Sequence, residues 1–180
     1  YHKILNEAIE ELKKEDFQDL FSDDKKKYYV ADCKLDTDLE ILIPDTYVND
    51  ITERLNLYKE LNNFTKEEEI KIFIDRLKDR FGVIPSAIQN VCNGVRLKWI
   101  AKEIGFERII LKNNNMHAYL PEENNHQYYN SETFNNILIY LKNNSKDSKM
   151  IEKKGKLSIR IKNINSINKA LIICKQIIRK

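Results

Sequence analysis

The chain has 180 residues, of which 42% are hydrophobic and 33% charged, and its formal net charge is +3. That length buries a full core as one domain, or one domain with an appendage; no apolar run approaches the ~20 residues of a bilayer-spanning helix, and the N-terminus lacks the charged-then-apolar pattern of an export signal. Cys33, Cys92 and Cys174 are odd in number and widely spaced, with no Cys-x-x-Cys pair. This excludes a disulfide framework and a cysteine-based zinc site, and makes a reducing cytoplasm the expected location.

The small net charge conceals a gradient. Residues 1–60 carry 9 Lys/Arg against 16 Asp/Glu, residues 61–120 carry 10 against 7, and residues 121–180 carry 12 against 5. Such polarity allows a basic end that touches nucleic acid or two surfaces that seek partners of opposite sign. The chain opens at Tyr1, without methionine and directly in a helical pattern, as a piece of a longer protein would.

Leu5, Ala8, Ile9 and Leu12 recur at helical spacing and predict an amphipathic helix over the first ~14 residues. From Glu15 to Lys27 the apolar period disappears into charge, which reads as a solvated linker. Tyr28 to Leu35 and Leu39 to Ile43 carry the β-branched and aromatic residues of two strands. Pro44-Asp45 then opens a helix, capped by Asp45 or Thr46, with a buried stripe of Val48, Ile51, Leu55 and Tyr58 and with Leu57 and Leu61 beside it.

Thr65-Lys66-Glu67-Glu68 matches a capping box at the head of the next helix, and Glu67-Glu68-Glu69 complements the positive end of its dipole. Ile70, Phe73, Ile74, Leu77 and Phe81 form its apolar stripe, and Gly82 supplies a left-handed stop before Pro85. A third helix begins at Pro85 and carries two adjacent apolar stripes, one from Ile88 to Trp99 and one from Leu97 to Ile104. It should be the most buried element, and Gly105 terminates it.

The remainder repeats one plan, a hairpin and then a helix. Segments 108–112 and 116–120 flank Asn113-Asn114-Asn115, followed by a helix with Phe134, Ile137, Leu138 and Leu141. Segments 149–153 and 156–161 flank a turn at Gly155, followed by a helix with Ile167, Ala170, Leu171, Cys174, Ile177 and Ile178. The expected class is α+β: a helical N-terminal half, then a ββαββα-like C-terminal half whose four-stranded, mainly antiparallel sheet has two helices packed on one face.

Catalytic chemistry finds no footing in these residues. The four glycines, Gly82, Gly94, Gly105 and Gly155, stand too far apart for a phosphate-cradling loop or a nucleophile elbow. His2, His117 and His126 sit in unrelated contexts, and Asp23-Asp24 and Asp36-Thr37-Asp38 match no calcium loop, so neither a metal nor another cofactor is expected. What remains is surface and charge. Lys153, Lys154, Lys156 and Arg160 cluster on the last hairpin, which is a lysine-guarded sheet edge, a contact for nucleic acid or a contact for a protein partner, although the hairpin itself offers no aromatic for stacking. Asp79 lies in the last turn of its helix, where the dipole disfavours a carboxylate by about 0.3–1 kcal/mol. It calls for a cation, supplied locally by Arg76 or Arg80 or from another domain.

Three ordered stretches, Ile43-Pro44-Asp45-Thr46-Tyr47-Val48, Arg54-Leu55-Asn56-Leu57-Tyr58-Lys59 and Asp79-Arg80-Phe81-Gly82-Val83-Ile84-Pro85, resemble the C-terminal domain of the bacterial transcription-repair coupling factors (Mfd). The opening helix is similar to the one that leads into that domain, so the resemblance covers roughly residues 1–110, with the second half agreeing in its order of elements. It implies a connector helix and polar linker over 1–27 and a single regulatory α+β domain over 28–180, helical in 44–105 and built of sheet and helices in 106–180. The parent would be an ATP-driven DNA translocase that displaces stalled RNA polymerase and recruits nucleotide excision repair, and this part of it would be no enzyme. Its implied role is autoinhibitory: packing on a UvrB-like N-terminal module and masking the surface that UvrA uses. Asp79 matches an acidic contact position of that interdomain surface, flanked by Arg76 and Arg80, whereas Arg76 stands where the family often has an acid. The alternative is an independent nucleic-acid-binding domain that uses Lys153, Lys154, Lys156 and Arg160.

Overall fold

The computed structural model describes residues 28–179; the helix and linker expected in 1–27 lie outside the described residues. Within them the order is β1 (Lys34–Thr37), α1 (Ile51–Asn63), α2 (Glu67–Phe81), α3 (Ser86–Ile104), β2 (Arg108–Lys112), β3 (Asn115–Tyr119), α4 (His126–Tyr129), α5 (Glu132–Asn143), β4 (Ser148–Lys153), β5 (Lys156–Lys162) and α6 (Ile167–Ile178). The class is α+β, as the apolar periods require.

The five strands form one mixed sheet in the order β1-β2-β3-β5-β4, antiparallel throughout except for the parallel pair β1–β2. The fifth strand is a correction to the four expected. Only Lys34–Thr37 pairs, and neither Tyr28–Leu35 nor Leu39–Ile43 forms the strand read from its composition. Hydrogen bonding explains the second failure: the Leu39 amide is captured by Thr37 Oγ1 and the Ile43 amide by the Tyr58 hydroxyl at 2.6 Å, so this stretch is bound to its surroundings without a ladder partner.

Sheet residues alternate. Ile109, Leu111, Met116, Ala118, Ile159 and Ile161 point inward and are essentially inaccessible, packed with Leu97, Ala101 and Ile104 of α3, Ile137 of α5 and Leu171 and Cys174 of α6. A second cluster joins Leu57, Leu61, Ile70, Phe73 and Leu77 to Ile88, Val91 and Cys92. The long helix α3 thus serves both cores, its first half in one and its last half in the other, as its double stripe predicts.

Several local expectations are overturned. Pro44 does not open a helix: its carbonyl accepts from the Tyr47 and Val48 amides in a turn, and α1 starts at Ile51, capped by Asp50 through a 2.8 Å bond from the Glu53 amide. Within α1 the side that packs is the one carrying Leu57 and Leu61, which are buried, while Ile51 and Leu55 are 65% and 54% exposed. The capping box of Thr65 and Glu68 does not close either: Lys66 takes the N-cap position, and the Thr65 hydroxyl donates to Glu69 Oε1 at 3.3 Å. Gly82 has φ +89° with ψ −156°, outside the left-handed helical well and in a region only glycine enters readily. The short α4 has no counterpart among the expected elements; it places Tyr128 at zero exposure, its hydroxyl donating to the Ile104 carbonyl at 2.9 Å.

Candidate interdomain surface

Helix α2 divides cleanly. Ile70, Phe73 and Leu77 face the core, which leaves Ile72, Arg76 and Asp79, at spacings of four and three, on the opposite, exposed side. Just past the helix, Val83 is 87% exposed. The helix end is held in place by Tyr47, whose hydroxyl donates to the carbonyls of Leu77 at 3.1 Å and Gly82 at 3.0 Å. Asp79 therefore projects from a fixed support.

The structure brings Arg76, Asp79 and Arg80 onto one helix but does not pair them. Arg76 Nη2 lies 2.5 and 2.6 Å from the two Glu60 carboxylate oxygens, and Arg80 Nη1 lies 2.5 Å from Glu53 Oε1, so both arginines bind α2 to α1. Each guanidinium also rests on a ring, Arg76 over Phe73 and Arg80 over Phe81. Asp79 is exposed and has no ion-pair or hydrogen-bond partner among the described residues. The local pairing weighed from the sequence is not made, because the acids of α1 hold the arginines.

Away from this face, between the segment before α1, α1 itself and the start of α3, runs an open groove of about 750 Å³, lined by Leu42, Pro44, Ile51, Leu55, Tyr58 and Ala87. Sequence reasoning missed it, since it assigned Ile51 and Leu55 to the core.

Elsewhere the chemistry is quiet. Burial raises the thiol pKa of Cys33 to about 12, of Cys92 to about 11 and of Cys174 to about 12, so all three are protonated at neutral pH. Among the described residues no three of the types His, Cys, Asp and Glu converge on a point that could hold a metal ion. No described helix is long and apolar enough to cross a membrane.

The four basic hairpin residues are separated in role. Lys153 and Lys156 face each other at the hairpin end, Lys154 occupies the turn with φ +53°, and Lys156 is neutralised by Glu107 at 2.9 Å. Arg160 is half-buried opposite His117 on β3.

Residues 37–131 match the family model of the TRCF domain. The chain belongs to that family. Its relatives include transcription-repair-coupling factors from Rickettsia conorii, 34% identical over 71 residues covering 39% of this chain and 6% of that protein, and from Buchnera aphidicola, 32% identical over 114 residues covering 63% of this chain and 13% of that protein. The factor from Escherichia coli is 25% identical over 112 residues, 61% of this chain and 9% of its own length. The chain thus spans only 6% to 13% of these relatives. The fold matches a crystal structure of the C-terminal domain of transcription-repair coupling factor, with a TM-score of 0.65, 17% identity, and coverage of 81% of this chain and 91% of that one. The TRCF match starts at the last residue of β1 and includes α1 to α3, the first hairpin and α4, and therefore the whole Asp79 surface.

Proposed function

We propose that residues 28–180 act as one non-catalytic regulatory domain of a longer cytoplasmic coupling factor, with residues 1–27 as its connector. The longer protein would be an ATP-dependent DNA translocase that acts on stalled RNA polymerase. In this reading the α2 face packs on a UvrB-like module of the same protein and covers the surface that UvrA needs, so the domain restrains repair recruitment until it is moved aside.

One observation carries the proposal: Asp79 is an exposed carboxylate at the unfavourable end of a pinned helix, and the two arginines beside it are already committed to Glu60 and Glu53. A cation from another domain would relieve it. Ile72 and Val83 add exposed apolar area on either side, which gives the mixed character of interdomain surfaces that open and close. Charge at such a rim supplies specificity more than affinity, which suits a clamp that must release. Capture of UvrA by the full-length protein, with and without residues 28–180, tests the reading. Removal should increase capture, and equal capture by both forms would overturn it.

A further inference from the structure

The sheet has a second face that no described helix covers. Register places Asp36, Ile110, His117, Arg160 and Lys149 in one row across all five strands, and Lys112, Asn115 and Lys162 in a flanking row. In the other flanking row Tyr119 stands between Arg108 and Ser158. Ile110, Tyr119 and Ile151 belong to neither core.

Charge on this face is one-sided. Asp36 is the only carboxylate that strand register directs to it, and Arg108 already holds that group through hydrogen bonds. Lys112, Lys149, Lys153 and Lys162 are exposed, and none has an ion-pair partner among the described residues. Neighbouring strands stand about 4.8 Å apart and alternate residues of one strand about 6.6 Å apart, so these cations form a close grid.

The centre of the face is polar and unsatisfied. His117 Nε2 and Arg160 Nε are out of water with no hydrogen-bond partner, although the two residues are direct cross-strand neighbours. Burial, and then the adjacent Arg160, lower the His117 pKa below its usual 6.5, so the imidazole is neutral at neutral pH. An unpaired donor in such a place is disfavoured by about 1–3 kcal/mol unless a ligand supplies an acceptor. The hairpin β4–β5 lacks aromatics, but the strand order sets β3 against β5, and this brings Tyr119 beside the small Ser158 and among the cations.

We propose that this uncovered sheet face binds single-stranded nucleic acid, with Lys149, Arg160 and Lys162 holding the phosphate backbone and Tyr119 stacking on a base. A flat cationic sheet with a half-buried ring at its surface suits a single strand, whose bases are free to stack, better than a duplex, which is read by elements that enter a groove. The site lies on the sheet and uses no residue of α2, so it stands or falls separately from the Asp79 reading.

The test is fluorescence anisotropy of the purified 180-residue chain with labelled oligo(dT) and oligo(U) of about 20 nucleotides, longer than the roughly 4–16 that one such platform covers, and with a duplex of equal length. Single strands should bind more tightly than the duplex, with log K falling against log salt at a slope of about −2 for three neutralised phosphates. The tighter of the two single strands identifies the sugar preferred. Lys149→Glu with Lys162→Glu should weaken binding at least about tenfold for each charge reversed, Tyr119→Ala by about tenfold or more, and Asp79→Lys not at all. Circular dichroism of each variant establishes that it is folded. Absence of binding at low salt, binding indifferent to the charge reversals, or equal binding of duplex with no effect of Tyr119→Ala would each overturn the proposal. It would equally be overturned if the same reversals abolished docking of an acidic protein surface while oligonucleotides failed to bind.

Discussion

Gly105 and Tyr128 are in such close contact that a Cβ on Gly105 would lie 2.4 Å from Tyr128 Cε2. Gly105 also has φ +94°, and its amide closes α3 onto the Ala101 and Lys102 carbonyls. The position therefore needs glycine twice, for the backbone and for the space. Gly105→Ala should destabilise by about 2–4 kcal/mol, about 1 from the backbone and about 1–3 from the forced displacement of a buried ring. Denaturant unfolding measures it, and a loss within about 0.5 kcal/mol would contradict the contact.

Glu67 joins α2 to α3 through Arg96, whose Nη2 and Nε lie 2.5 and 3.0 Å from its two oxygens. The Arg96 hydrogen bond holds the Glu67 carboxyl below its ordinary 4.5, against the opposing effect of burial. A carboxyl depressed in the folded state contributes stability above its unfolded pKa and loses it as pH falls through 4.5 and below. Glu67→Gln should thus cost under about 1 kcal/mol at neutral pH, since the pair is partly exposed, and progressively less as pH falls below the ordinary carboxyl range, for instance at about pH 3. Unfolding curves at both pH values decide it; an equal cost at both would refute the linkage.

Leu57 and Leu55 stand two residues apart on α1 with opposite fates, at 6% and 54% exposure. Leu57→Ala should destabilise by about 2–5 kcal/mol, whereas Leu55→Ala should stay within about 0.5. Equal losses in thermal or denaturant unfolding would restore the stripe read from the sequence and remove the groove.

This pair also shows where the sequence is legible. The apolar periods of α2, α3, α5 and α6 are long enough to fix which side packs, and Asn113-Asn114 and Lys154-Gly155, all at positive φ, mark both hairpins. Helix α1 carries leucines and isoleucines around more than one side, so its apolar period alone does not select the buried face. Strand β1 pairs through four residues with a partner more than seventy positions away, and nothing local encodes that. The same non-locality hid the cationic sheet face, which exists only because β3 and β5 are neighbours. Asp79 was legible as a misplaced carboxylate from its position alone, but the claim of Glu53 and Glu60 on its arginines required the packing of α1 on α2.

The central claim is that Asp79 restrains the longer protein through a cation on another domain. The most direct measurement is UvrA capture by the full-length protein carrying Asp79→Lys, with the exposed Glu122→Lys, outside α2, as the control for charge. A broken charge pair that changes the coupling by about 1–3 kcal/mol should raise UvrA affinity roughly 5- to 150-fold for Asp79→Lys, leave the control close to the unaltered protein, and leave the thermal stability of the domain within a few degrees. Affinity for UvrA unchanged by Asp79→Lys, in a protein that remains folded, would contradict the account.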